Sequence, residues 1–233
     1  MTTLKQRLAE VNQRLAAAEQ AAGRPPGSVR LLAASKTRTA EDVRQAVALG
    51  QRLFGENRAQ ELRDKGDALA DEDLEWHFIG SLQKNKVKYC VGRATLIHSV
   101  DSLSLAEAID KRSAKHMADA GGAPIGVLVQ VDIGEEDAKG GVPIADTLAI
   151  CRQVDAMAHV SLRGLMAVPP FTEDPQGAAP YFARLASLAA AGREAGLPLG
   201  ELSMGMSHDL EVAVAYGATI VRVGSAIFGP RQY

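Results

Sequence analysis

Eight short apolar runs, each followed by a stretch patterned for a helix, constrain this chain more than any other feature of it. The runs are Leu31–Ser35, Arg52–Gly55, Glu75–Gly80, Thr95–Val100, Gly126–Asp132, Val160–Ala167, Glu201–Ser207 and Thr219–Gly224. Short, nearly continuous apolar runs are how strands buried on both faces read. Between them, Thr39-Ala-Glu-Asp42 has the spacing of a capping box, ahead of a helix that stops at Gly50. Ser104-Leu-Ala-Glu107 repeats that signature before Leu105, Ala108 and Ile109. Pro143 and Pro180 suit the first turns of two further helices, where a missing N–H costs nothing. Eight such alternations in 233 residues predict an α/β protein, a single closed (β/α)₈ TIM barrel. An open doubly wound sheet is the alternative, but the first run leads into Ser35-Lys36-Thr37 and not into a glycine-rich turn. The barrel is favoured.

Leu4, Leu8, Val11, Leu15, Ala18 and Ala22 recur every three or four residues, so an extra amphipathic helix is expected ahead of the barrel. It should end at Gly23, before Pro25-Pro26. No linker or composition shift divides the chain, and one domain over residues 1–233 is expected. With 46% hydrophobic residues such a chain can bury a core without disulfides or a structural metal. A net charge of −2 offers no footprint for nucleic acid or an anionic membrane. The N-terminus lacks the apolar segment of a signal peptide and no run is long enough to span a bilayer, so a cytoplasmic protein is expected. Nothing in the pattern forces assembly, and a monomer is expected. Cys90 and Cys151 belong to no Cys/His cluster and read as reduced, packed thiols.

Lys36 stands at the end of the first run. A semi-buried amine loses protons easily and becomes a nucleophile toward aldehydes, although a lysine reaching from the barrel rim into water would look the same. The last run, Ile220-Val-Arg222-Val-Gly224-Ser225, ends in a Gly-Ser turn. Barrels often bind phosphate in the loops after their last two strands. Ser207 follows the seventh run, so Ser207, Gly224 and Ser225 could cradle an anion; both serines could equally be helix N-caps. Period two puts Arg222 on the inward face with Ile220 and Gly224. There it could meet a ligand or pair with Asp132 or Glu56.

Six segments in series carry a family resemblance. They are Ala34-Ser-Lys36, Phe54-Gly-Glu-Asn57, Trp76-His-Phe-Ile-Gly80, Arg163-Gly-Leu-Met166, Leu202-Ser-Met-Gly-Met-Ser207-His-Asp209 and Val221-Arg-Val-Gly224-Ser-Ala-Ile-Phe-Gly229. Together they resemble the YggS/PROSC family of pyridoxal phosphate homeostasis proteins, a lone fold-type III barrel similar to the N-terminal domain of alanine racemase. The resemblance implies that Lys36 holds pyridoxal 5′-phosphate as a Schiff base. It implies that Ser207, Gly224 and Ser225 contact the phosphate near the Met206 backbone, and that Arg222 meets the pyridine nitrogen. Asn57, His77 and Met204 would line the ring pocket, although Asn57 read alone could cap a helix and His77 could be a core histidine. Arg58 departs from the family, which often has tyrosine there. The loop Glu136-Asp-Ala-Lys139-Gly-Gly141 matches a family loop carrying a lysine near the barrel mouth.

Three functions fit. The first is a carrier or buffer of the cofactor, with PLP-dependent apo-enzymes as its expected partners. A racemase needs a second acid/base opposite the lysine, and none of Tyr89, Tyr181, Tyr216 and Tyr233 follows a strand. The second is a low-activity racemase using His77 or Lys139 as base. The third is a barrel for another phosphorylated metabolite.

Overall fold

The computed structural model describes residues 2–135 and 140–230. It opens with α1 (Leu4–Ala21), where Thr3 and Gln6 form a capping box and Leu8, Val11, Leu15 and Ala18 face inward. Glu19 on this helix is buried and accepts N–H bonds from Gly27 (3.0 Å) and Val29 (2.7 Å), which fixes the entry to the first strand. Strands and helices then alternate: β1 (Arg30–Ala34), α2 (Ala40–Ala48), β2 (Leu53–Glu56), α3 (Ala59–Ala68), β3 (Glu75–Phe78), α4 (Val87–Cys90), β4 (Leu96–Val100), α5 (Leu103–Ala120) and β5 (Ile125–Asp132). A two-residue strand, β6 (Val142–Pro143), pairs with the end of β5. After it come α6 (Ile144–Asp155), β7 (Val160–Met166), α7 (Ala179–Glu194), β8 (Glu201–Ser203), α8 (Leu210–Ala215), β9 (Ile220–Val223) and α9 (Ser225–Phe228).

Eight of these strands, β1–β5 and β7–β9, pair in parallel and close into a ring, with β9 hydrogen-bonded back to β1. The (β/α)₈ barrel and the leading helix are as the sequence predicts. Alternation along each strand makes two apolar layers. Leu32, Leu53, Leu96, Leu128, Met166 and Ile220 fill the barrel interior. Ala33, Phe54, Ile97, Val127, Val129, Val221 and Val223 join the larger core under the helices. Each large side chain so buried contributes about 1.5–3 kcal/mol.

Three local expectations need correction. Ser102, not Ser104, caps α5: its backbone is extended and its hydroxyl accepts from Leu105 N–H, which starts the helix two residues earlier. Pro143 is the residue before α6 and not part of its first turn. The seventh strand stops at Ser203, because Gly205 turns the chain at φ 88°, and a Cβ there would lie 2.5 Å from Ala213 Cβ. Ser207 therefore does not open α8; Asp209 stands at its cap. Cys90 and Cys151 are buried as expected, and burial pushes both thiols up to about 12. Among the described residues no helix is long and apolar enough to cross a membrane. Lys139 and Tyr233 lie outside the described residues.

Candidate functional site

A cleft of about 430 Å³ opens at the C-terminal ends of β1, β8 and β9, where barrels carry their ligand sites. Of the nine residues singled out in the sequence, Lys36, Asn57, Met206, Ser207, Arg222, Gly224 and Ser225 line it. His77 and Met204 do not. Ala34, Thr37, Arg38, Ile79, Val168, His208 and Gly229 complete the walls.

Lys36 is half-buried and held from both sides. Ahead of it, Ser35 is fully buried; its N–H donates to Gly55 O (3.0 Å) and its hydroxyl to Glu56 Oε1 (2.6 Å). Behind it, Thr37 takes the left-handed φ of 64°, which costs a non-glycine residue about 1 kcal/mol. Its N–H donates to Glu61 Oε2 (3.0 Å). Lys65 ties the two halves together, donating to Ser35 O (2.8 Å), Glu56 Oε1 (2.6 Å) and Glu61 Oε2 (3.4 Å). Burial holds the Glu56 carboxyl above its ordinary range despite Lys65. Burial would raise Glu61 too, but the Thr37 N–H and Lys65 outweigh it and hold that carboxyl low.

The facing wall is polar. Ser225 Oγ donates to Ser207 Oγ (3.2 Å), and Ala226 N–H reaches the same oxygen (3.4 Å), so the loops after β8 and β9 are joined. Neither serine sits at an N-cap: Ser207 precedes the cap of α8, and Ser225 is the first residue of α9. A Cβ on Gly224 would sit a tight 3.1 Å from Ala34 O, so a larger residue there would push this turn and the end of β1 apart by a few tenths of an ångström. Met206 contributes its half-exposed side chain. Its N–H, expected near an anion, instead donates to Asp209 Oδ1 (2.6 Å).

Arg222 points inward as expected and is 6% exposed. Its bonds go to Ser203 O (2.7 Å), Ser203 Oγ (2.6 Å) and Ala167 O (3.0 Å), and not to Asp132 or Glu56. Burial draws this guanidinium down to about 10, Asp209 opposing, so it stays charged at neutral pH. Asn57 caps no helix. Its Oδ1 is buried at the cleft and finds no hydrogen-bond partner among the described residues. Arg58 points into solvent, 75% exposed beside Glu61, so it stacks on nothing in the cleft.

Two expectations fail on the direction of the side chain. Met204 is wholly buried in the core under the helices. His77 faces the barrel interior below the cleft and binds Glu75 Oε1 (2.8 Å) and His98 Nε2 (2.9 Å). Sequence reasoning also missed Lys65, although a signal existed: Ala59, Leu62 and Lys65 recur every three residues on the buried face of α3. A lysine on an apolar stripe needs a buried partner.

A family profile for the alanine racemase N-terminal domain matches residues 7–232. A pyridoxal phosphate homeostasis protein of Aquifex aeolicus is 44% identical over 98% of both chains. The chain belongs to the pyridoxal phosphate homeostasis protein family. Among solved structures, PipY of Synechococcus elongatus with PLP bound is 38% identical, with a TM-score of 0.84 over 97% of this chain and 100% of that one. Alanine racemase of Corynebacterium glutamicum shares the fold at a TM-score of 0.69 and 17% identity; the match covers 94% of this chain and 60% of the racemase. The homeostasis proteins and PipY are thus matched end to end, whereas the racemase is matched over one part.

Proposed function

We propose that this chain is a single barrel domain over residues 1–233 that holds pyridoxal 5′-phosphate through Lys36 and carries or buffers it. The observation that carries the reading is the meeting of an amine, a guanidinium and a pair of serine hydroxyls on different walls of one cleft. The site fits the cofactor. Lys36 can meet an aldehyde, the Ser207–Ser225 pair beside Gly224 can meet a phosphate, and the buried, unsatisfied Asn57 Oδ1 needs a donor that a ligand can bring. When bound, pyridoxal phosphate supplies an aldehyde carbon for the amine and a ring that accepts electrons. Arg222 keeps its own proton, so a ring nitrogen meeting it stays unprotonated and the ring's pull on electrons is muted.

What favours a carrier over a racemase is the fate of His77. The racemase reading would use His77 or Lys139 as the second base; Lys139 lies outside the described residues, and both nitrogens of His77 are engaged beneath the cleft. The names of the relatives point the same way. PLP-dependent apo-enzymes are the proposed recipients, and a cytoplasmic monomer is the proposed state. The purified protein should show a Schiff-base absorbance band that borohydride reduction fixes on the peptide containing Lys36, and Lys36→Ala should lose that band while staying folded. Solvent deuterium entering the Cα of L-alanine faster than with free cofactor would refute the carrier reading.

Ser207→Ala and Ser225→Ala should each weaken cofactor binding by about 1–3 kcal/mol, the worth of a hydrogen bond to a charged partner. Equilibrium titration with pyridoxal phosphate measures it. Each change also breaks the hydroxyl contact between the two loops, so the two losses should not add.

A further inference from the structure

A chain of hydrogen bonds runs through the barrel interior from Arg222, at the cleft, to Glu75, the first residue of β3 at the opposite end. Arg222 Nη1 meets Ser203 Oγ at 2.6 Å, and Ser203 Oγ meets His98 Nδ1 at 2.8 Å. His98 Nε2 meets His77 Nδ1 at 2.9 Å, and His77 Nε2 meets Glu75 Oε1 at 2.8 Å. Ser203, His77 and His98 are fully buried. The chain crosses the ring of strands, since β3, β4, β8 and β9 each supply a link.

The direction of every bond follows from the two ends. A guanidinium can only donate and a carboxylate can only accept. Ser203 Oγ accepts from Arg222, so its single proton goes to His98 Nδ1. His98 then carries its proton on Nε2 and gives it to His77 Nδ1. His77 carries its own on Nε2 and gives it to Glu75. Two neutral rings and one hydroxyl use all their protons, with none missing and none left over. An extra proton on either ring would leave a hydrogen without an acceptor in the chain and place a second cation near Arg222. Burial lowers both histidines, and Arg222 and Arg30 add to that for His98, while Glu75 and Glu201 act the other way on His77. At the far end Glu75 is held at about 2, by His77 first, with Arg30 also bonded to it. At the near end Asp209 is the carboxylate that acts on Arg222.

We propose that Ser203, His98, His77 and Glu75 are positioning residues that set the orientation of Arg222 toward its ligand. This rests on the reading that Arg222 meets the ring nitrogen of the cofactor. With Nη1 spent on Ser203 and one Nη2 proton on Ala167 O, the guanidinium keeps Nε–H and one Nη2–H for the cleft. Each link polarises the next in a water-poor interior, so the carboxylate at the outer end steadies the buried cation at the inner end. Glu75 touches nothing in the cleft, but its loss should be felt there.

The test has two arms. In the first, the protein is labelled with ¹⁵N-histidine and studied without cofactor. Both His77 and His98 should be neutral with the proton on Nε2, and should stay so across about pH 5.5–8, where ordinary histidines titrate. A ring protonated on Nδ1, or titrating in that range, overturns the proposal. In the second, Glu75→Ala and Glu75→Gln are compared with the parent, using pyridoxal phosphate labelled at the ring nitrogen. Glu75→Ala should weaken binding about 3- to 10-fold, as for one lost hydrogen bond, and shift the ring-nitrogen resonance. Glu75→Gln keeps an oxygen for His77 and should restore most of both. A cofactor that binds but does not respond to Glu75→Ala overturns this inference alone. A parent protein that takes up no pyridoxal phosphate overturns the cofactor reading as well.

Discussion

Lys65→Met should destabilise the barrel by about 3–5 kcal/mol, the usual result of removing one partner of a buried ion pair. Lys65 and Glu56 are almost wholly enclosed, with side chains 8% and 0% exposed and 2.6 Å between nitrogen and oxygen. Without the ammonium, the Glu56 carboxyl keeps only the Ser35 hydroxyl, and Oε2 already has no partner. Changing Glu56→Gln in the same chain removes the stranded charge, so the double variant should recover much of the loss. Denaturant melts of the four proteins in this cycle measure the coupling. The pH dependence has a definite sign. Glu56 binds its proton more tightly folded than unfolded, so its contribution to stability falls as pH rises from about its ordinary 4.5 toward its raised folded value. Removing Lys65 widens that window. The gap between variant and parent should therefore narrow on acidification, and a gap independent of pH would sink the account. Cofactor affinity should drop in parallel, because Lys65 also grips Ser35 O, one residue before Lys36.

The second large effect is expected at Gly80. A Cβ at this position would lie 2.0 Å from the Asn57 carbonyl oxygen and 2.6 Å from Asn57 Cα. Both obstacles are main chain, so no side chain can swing aside. Gly80→Ala should cost about 3 kcal/mol, at the upper end of the range for overpacking. It should also push the loop after β2 toward the cleft, carrying Asn57 with it, and lower cofactor affinity beyond what stability explains. A thermal melt together with a cofactor titration separates the two effects. If the variant melted like the parent, the close approach of these two loops would be wrong.

Strand faces were legible because one inward layer and one outward layer demand strict alternation, and Arg222 could be placed inward on that ground alone. Lys36 and the Ser207–Ser225 pair were legible because chemistry in a barrel gathers at strand ends. What could not be read was the traffic across the interior. His77 has the right face and the right strand for a ring contact, yet its reach is decided by His98 and Glu75, which the sequence separates by 21 and 2 residues. Nor does a strand pattern reveal that Gly205 ends β8 early and frees Ser207 from the next helix. Turn geometry at a single glycine settled that.

An aldehyde condenses with amines and also adds thiolates. A protein that stores one must therefore keep its own sulfur out of the competition. Cys90 and Cys151 are shut in the core, and their thiols ionise only near 12. At neutral pH these two cysteines offer almost no thiolate, so on the proposed reading neither would compete with Lys36 for the aldehyde.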